Sequence, residues 1–161
     1  KRWGAQLLIG SFLLALSARA QAHDGPGGNL GVGLGVGAPT GLSLELSMGR
    51  SASLEGAVGF DVFNTGGYAH VVCKFSLTRL SYGPTVSVPV YLGAGMYVFD
   101  TSGSLDAPNL GVRVPLGVSF DFLRAPVQLF IEGALGVDLV REPPSDRTFW
   151  FCAYGGIRFW L

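Results

Sequence analysis

Beyond about residue 29 the chain alternates bulky apolar residues with small or polar ones. From Asn29 to Gly37, Leu30, Val32, Leu34 and Val36 hold one parity, and Gly31, Gly33, Gly35 and Gly37 hold the other. From Asn109 to Phe122, Leu110, Val112, Val114, Leu116, Val118, Phe120 and Phe122 alternate with Gly111, Arg113, Pro115, Gly117, Ser119 and Asp121. A period of two puts successive side chains on opposite faces of a strand. Eight such segments are predicted, at roughly 29–37, 41–47, 52–62, 68–77, 84–99, 109–122, 127–140 and 148–161. Turn chemistry separates them: Ala38-Pro39-Thr40, Met48-Gly49-Arg50, Asn64 to Gly67, Ser81-Tyr82-Gly83, Asp100 to Pro108, Arg124-Ala125-Pro126 and Arg141 to Arg147. Most segments reach the roughly 9–11 residues of a tilted membrane strand, the second being the shortest.

The two faces are unlike. One is continuously apolar; the other is mostly Gly, Ser and Ala and carries nearly all the charge. A soluble barrel would turn its apolar face inward around a ligand and cover its exterior with charge. Small residues beside a few large ones suit instead the narrow interior of an eight-stranded barrel. The pattern therefore predicts an all-β fold, an eight-stranded antiparallel up-and-down barrel with its apolar face toward lipid. A soluble periplasmic carrier of the lipocalin kind is the alternative use of the same strands.

Composition agrees with the lipid-facing arrangement. Of 161 residues only 14% are charged, below the roughly 25% of soluble domains. Mean hydropathy is +0.41, yet no apolar run of about 18 residues follows position 22, so no transmembrane helix is predicted there. The 11 basic and 11 acidic residues balance, and no basic stripe exists for nucleic acid.

The N-terminus reads as an export signal. Lys1 and Arg2 precede an apolar core, Leu7 to Leu16, and small residues at Ala18-Arg19-Ala20 or Ala20-Gln21-Ala22 offer cleavage sites. The expected organisation is a signal peptide over 1–22, a linker over 23–28 and a barrel over 29–161. If the first strand runs outward, the inner turns are 48–50, 78–83 and 123–126. The outer loops are then 38–40, 63–67, 100–108 and 141–147, which include the longest connections. Aromatics near strand ends, namely Phe63, Tyr68, Tyr82, Tyr97, Phe99, Phe120, Phe122, Phe149, Trp150, Phe159 and Trp160, read as an interfacial girdle.

An export signal, eight alternating strands and a last strand ending Gly156-Ile157-Arg158-Phe159-Trp160-Leu161 resemble the small bacterial outer-membrane barrels of the OmpA-transmembrane and OmpX kind. Segments such as GVGLGVGAPTGLSLEL and GVRVPLGVSFDF are also similar to a family of unassigned role within that superfamily. The resemblance implies a bacterial outer-membrane location, with membrane lipid and the barrel-insertion machinery as partners. That machinery usually reads a terminal aromatic residue, whereas this chain ends in Leu161. The expected role is structural or interaction-based, in envelope integrity or surface contact, with no cofactor. Some barrels of this size are lipid-modifying enzymes that use His with Ser or Glu. No Ser stands at such a spacing here, so no catalytic residue is expected.

Parity sends Glu45, Glu55, Asp61, His70, Lys74, Arg113, Asp121, Glu132, Asp138 and Arg158 into the lumen. Charges in a narrow dry space are costly, so pairing is expected and the lumen should be plugged. Estimated registers set Arg113 between Gly95 and Gly136 with Asp138 diagonal, and put Asp138 and Glu132 as the acidic groups within its reach. They set Glu132 opposite Gly117 and near Gly156 with Arg158 diagonal, and Asp61 beside His70. The glycine run from Gly31 to Gly37 is not a phosphate loop, because no helix follows it. Two histidines without an acidic–His cluster in sequence give no metal site. Cys73 and Cys152 fall on opposite walls, which predicts free thiols with Cys73 facing lipid.

Overall fold

The alternating segments become strands. In the computed structural model β1 spans Leu30–Gly37, β2 Thr40–Ser47, β3 Ala52–Asp61, β4 Gly66–Tyr82, β5 Val86–Asp100, β6 Asn109–Phe122, β7 Val127–Val140 and β8 Phe149–Trp160. The structure describes residues 27–49, 51–62, 66–82, 84–100, 108–140 and 149–161. The expected signal peptide, most of the linker, Phe63, the side chain of Tyr82 and the centres of the three longest loops lie outside the described residues. Each strand pairs antiparallel with the next, and β1 pairs with β8, so the sheet closes as a barrel.

One boundary departs from the pattern. β4 runs on to Tyr82 instead of ending near 77, and its register to β5 shifts between Ser76 and Thr78. A bulge inserts one unpaired residue and reverses the parity beyond it. Leu77 is that residue, and Arg79 consequently lies opposite Pro89 on the lumen side. A strict period of two loses the strand at this point.

The distribution of side chains is inverted relative to a protein folded in water. Arg113, Arg158 and Glu55 are 0% exposed, whereas Leu34 is 63% and Phe151 70% exposed. This is the reverse of the lipocalin arrangement, which would hold an apolar lumen. Among the described residues no helix is long and apolar enough to cross a membrane.

Glycine makes the interior possible. A Cβ at Gly136 would run into the Trp150 indole, and one at Gly117 into the Tyr91 ring. Trp150 and Tyr91 thus lie across the bare backbone of their neighbours. Three layers result along the axis. Tyr68, Tyr97 and Trp150 pack near the outer end. Charged groups fill the middle, and a serine-lined cavity opens toward the inner turns.

Candidate functional site: a charge layer across the lumen

Three carboxylates and three cations meet in the middle of the barrel. Glu55 on β3 is bonded by Lys74 on β4 and by Arg158 Nη2 on β8. Glu45 on β2 accepts from Arg158 Nη1 at 2.5 Å, from Ser53 Oγ at 2.6 Å and from Lys74 Nζ at 3.4 Å. Glu132 on β7 accepts from Arg113 Nη2 at 2.5 Å and from the Tyr91 hydroxyl at 3.0 Å, and Lys74 Nζ stands 3.7 Å away.

Arg113 has a second set of partners. Its Nη1 reaches Tyr68 Oη at 3.3 Å and His70 Nδ1 at 2.6 Å. A guanidinium can only donate, so Nδ1 must accept and His70 carries its proton on Nε2. That Nε2–H then donates to Glu55 Oε1 at 3.0 Å. The imidazole is neutral in this arrangement, and the layer as a whole carries no net charge.

Rings complete the packing. The Arg158 guanidinium carbon lies 3.7 Å from the Phe130 centroid, and Lys74 Nζ lies 4.4 Å from that of Tyr91. Arg158 also donates from Nε to Ser43 Oγ at 2.8 Å and from Nη1 to Gln128 Oε1 at 3.1 Å. The layer joins every strand from β2 to β8 in one bonded set.

The register places Arg113 opposite Gly95 and Gly136, and Glu132 opposite Gly117. Other estimated neighbours are corrected. Asp138 does not meet Arg113; it accepts from the Tyr97 hydroxyl near the outer end. Glu132 stands opposite Tyr154 on β8, not Gly156, and Arg158 stands opposite Gln128. Asp61 pairs with Gly66, which sets His70 opposite Ala57 and leaves Glu55 as its acidic partner. The turn between β3 and β4 is centred about two residues earlier than the sequence implied, and that moves the register by four residues. Asp121 accepts from Gln128 Nε2 at 2.8 Å and from Ser119 at 3.2 Å, below the layer.

The girdle is corrected too. Tyr68, Tyr97 and Trp160 are buried in the lumen, and Trp150 donates from Nε1 to the Tyr97 hydroxyl at 2.7 Å. Tyr68 and Tyr97 are stacked 5.7 Å apart, 3° from parallel. Their parity, shared with the lumenal charges, was the available signal. Phe120, Phe149 and Phe159 face outward.

An acidic–His cluster does form in space. Glu55, His70 and Glu132 bring ligand atoms within 4.8 Å of one another. Both carboxylates are already bonded by Lys74 or an arginine, and both imidazole nitrogens are engaged. The three residues belong to the ion-pair layer. Cys73 is exposed on the outer face and Cys152 is buried, both as free thiols. Cys152 packs with Ala38, Ala134 and Trp150.

No family model matches the chain, and no curated protein matches it. Among solved structures it is similar to the N-terminal β-barrel domain of Pseudomonas aeruginosa OprF. The identity is 13%, the match covers 83% of this chain and 98% of that one, and the TM-score is 0.48. By its own strand order this chain is a closed eight-stranded antiparallel barrel.

Proposed function

We propose that this protein is an integral barrel of the bacterial outer membrane with a structural or interaction role and a lumen plugged by ion pairs. The observation that carries the reading is the inversion of burial: Arg113 and Arg158 have no exposed surface while Leu116, Ile131 and Leu135 lie open. In water that exterior would be a large apolar patch of the kind monomeric proteins avoid. In a bilayer it is the ordinary lipid contact of a closed sheet.

The lumen supports the rest of the proposal. The bonded layer across the middle, which joins acidic and basic side chains from opposite walls, favours a plugged lumen over a pore. His70 is held at Nδ1 by Arg113 and at Nε2 by Glu55, so neither ring nitrogen is open to activate a nucleophile, and we assign the protein no catalytic step. Contact with membrane lipid, and recognition of β8 by the insertion machinery, complete the reading. The decisive experiment is extraction from membranes and electrophoresis with and without boiling, together with recordings in planar bilayers. The expected result is a heat-dependent mobility shift and no steady conductance. Recovery as a monomer from the soluble periplasm would reject the membrane assignment; a steady open channel would reject the plug alone.

A further inference from the structure

The outer rim of the barrel is not level. β1 ends at Gly37 and β2 begins at Thr40, whereas β8 rises to Phe149 and β7 to Val140. Gly37 pairs with Tyr154, and the Ala38 amide still reaches the Ala153 carbonyl. Above that bond Phe149 to Cys152 continue with no partner among the described residues on the β1 side. On the other flank Thr40 pairs with Phe60, and β3 passes it to Asp61. The wall is therefore notched over the β1–β2 turn. Four residues at about 3.4 Å each and a tilt near 40° correspond to roughly 10 Å of height.

The outward apolar rows record the same step. They extend from Phe149 to Leu161 on β8 and from Val127 to Leu139 on β7. They extend only from Leu30 to Val36 on β1 and from Leu42 to Met48 on β2. An apolar band about 25 Å tall takes about ten residues at that tilt. The long wall fills the band and the short wall does not.

The backbone adds a second observation. The Ala153 carbonyl points toward β1. Alternation along the strand then points the N–H and C=O groups of Phe151 and Phe149 into the notch as well. No described residue bonds them, and an open sheet edge does not persist in hydrocarbon. Yet the phenyl groups beside it, Phe149 at 73%, Phe151 at 70% and Phe60 at 72% exposed, are suited to a membrane–water boundary.

We propose that the outer leaflet dips over the β1–β2 wall, so that polar lipid headgroups and their water enter the notch and hydrogen-bond the backbone of Phe149 and Phe151. The inference rests on the membrane assignment made above. A strand added by a second copy would satisfy the same edge, but it would leave the short apolar rows of β1 and β2 unmatched. The dip accounts for both.

The test uses the full barrel with Cys73→Ser as background, folded into dioleoyl phosphatidylcholine vesicles with a membrane-impermeant maleimide on both sides. Cysteines are placed at Val36 on β1 and at Leu135 on β7. Val36 pairs with Gly155 and Leu135 with Phe151, so Leu135 stands the higher of the two. Water-soluble reagent does not reach a thiol in hydrocarbon, so Val36→Cys should label at least about tenfold faster than Leu135→Cys. Equal protection of both would overturn the dip and leave the membrane assignment standing. Rapid labelling of both, and of Leu116→Cys on β6, would overturn the membrane assignment itself. Protection of Val36→Cys that is lost as protein is diluted in lipid would overturn the dip in favour of a second copy.

Discussion

The middle of the lumen and its inner end are lined by the same strands but filled on opposite principles. In the middle, arginines, a lysine and glutamates bond chiefly to one another, with Ser43, Ser53, Tyr91 and Gln128 completing the set. At the inner end Ser47, Ser53, Ser76 and Ser119 leave a cavity of about 50 Å³, room for a few waters. Small side chains keep their hydration and can be exchanged cheaply. Large charged ones lose it and tolerate no missing partner. Stability in this barrel is accordingly concentrated in a few long-range contacts.

The strongest way to break this comparison is Arg158→Leu. It strands Glu45 and Glu55 together, with Lys74 alone to compensate them. Loss of one partner from a buried pair costs about 3–5 kcal/mol, and this variant should reach the upper end. Denaturant unfolding in detergent, followed by tryptophan fluorescence, measures it; a change below 1 kcal/mol, taking about 1.4 kcal/mol per decade in the equilibrium, would remove the charge layer from the argument.

Arg113→Leu sharpens the same point, because its one acidic partner is Glu132. We expect a loss of about 3–5 kcal/mol, part of which returns when Glu132→Gln is added. Adding Asp138→Asn instead should return nothing, since Asp138 is bonded to Tyr97. The reverse ranking of the two double variants would overturn the pairing.

On the outer face Leu116→Arg should cost about 2–4 kcal/mol, near the bilayer midplane, when folding into liposomes is titrated. The same change should be nearly free at Leu161, at the barrel's inner edge. Equal costs would mean that the apolar exterior does not meet lipid. The smallest effect belongs to the wet cavity. Ser76→Ala should shift unfolding by no more than about 0.5 kcal/mol. A loss as large as that of Arg158→Leu would erase the distinction between the two layers.

The strands were legible in the sequence because alternation runs through all of them, broken in β4 only by its bulge, and tight hairpins fix the register near their turns. The short β6–β7 turn alone sets Arg113 opposite Gly136. Errors arose wherever something other than parity decided the outcome. The bulge at Leu77 hid the inner end of β4. The earlier β3–β4 turn moved His70 away from Asp61. Of the two acidic groups expected within reach of Arg113, Glu132 bonds it and Asp138 bonds Tyr97 instead. Tyr68, Tyr97 and Trp150 were read by their place near strand ends, when their parity showed that they fill the lumen.

The Arg158 contacts also bear on how the chain reaches its folded form. This arginine sits on the last strand, and its two glutamates lie 113 and 103 residues earlier. Until β8 docks, Glu45 and Glu55 crowd together with a single lysine between them. Sealing the β1–β8 seam and neutralising the interior are thus one event, and contacts so distant in sequence form slowly. An incomplete barrel carries excess negative charge at its centre, which favours either full closure or no closure at all.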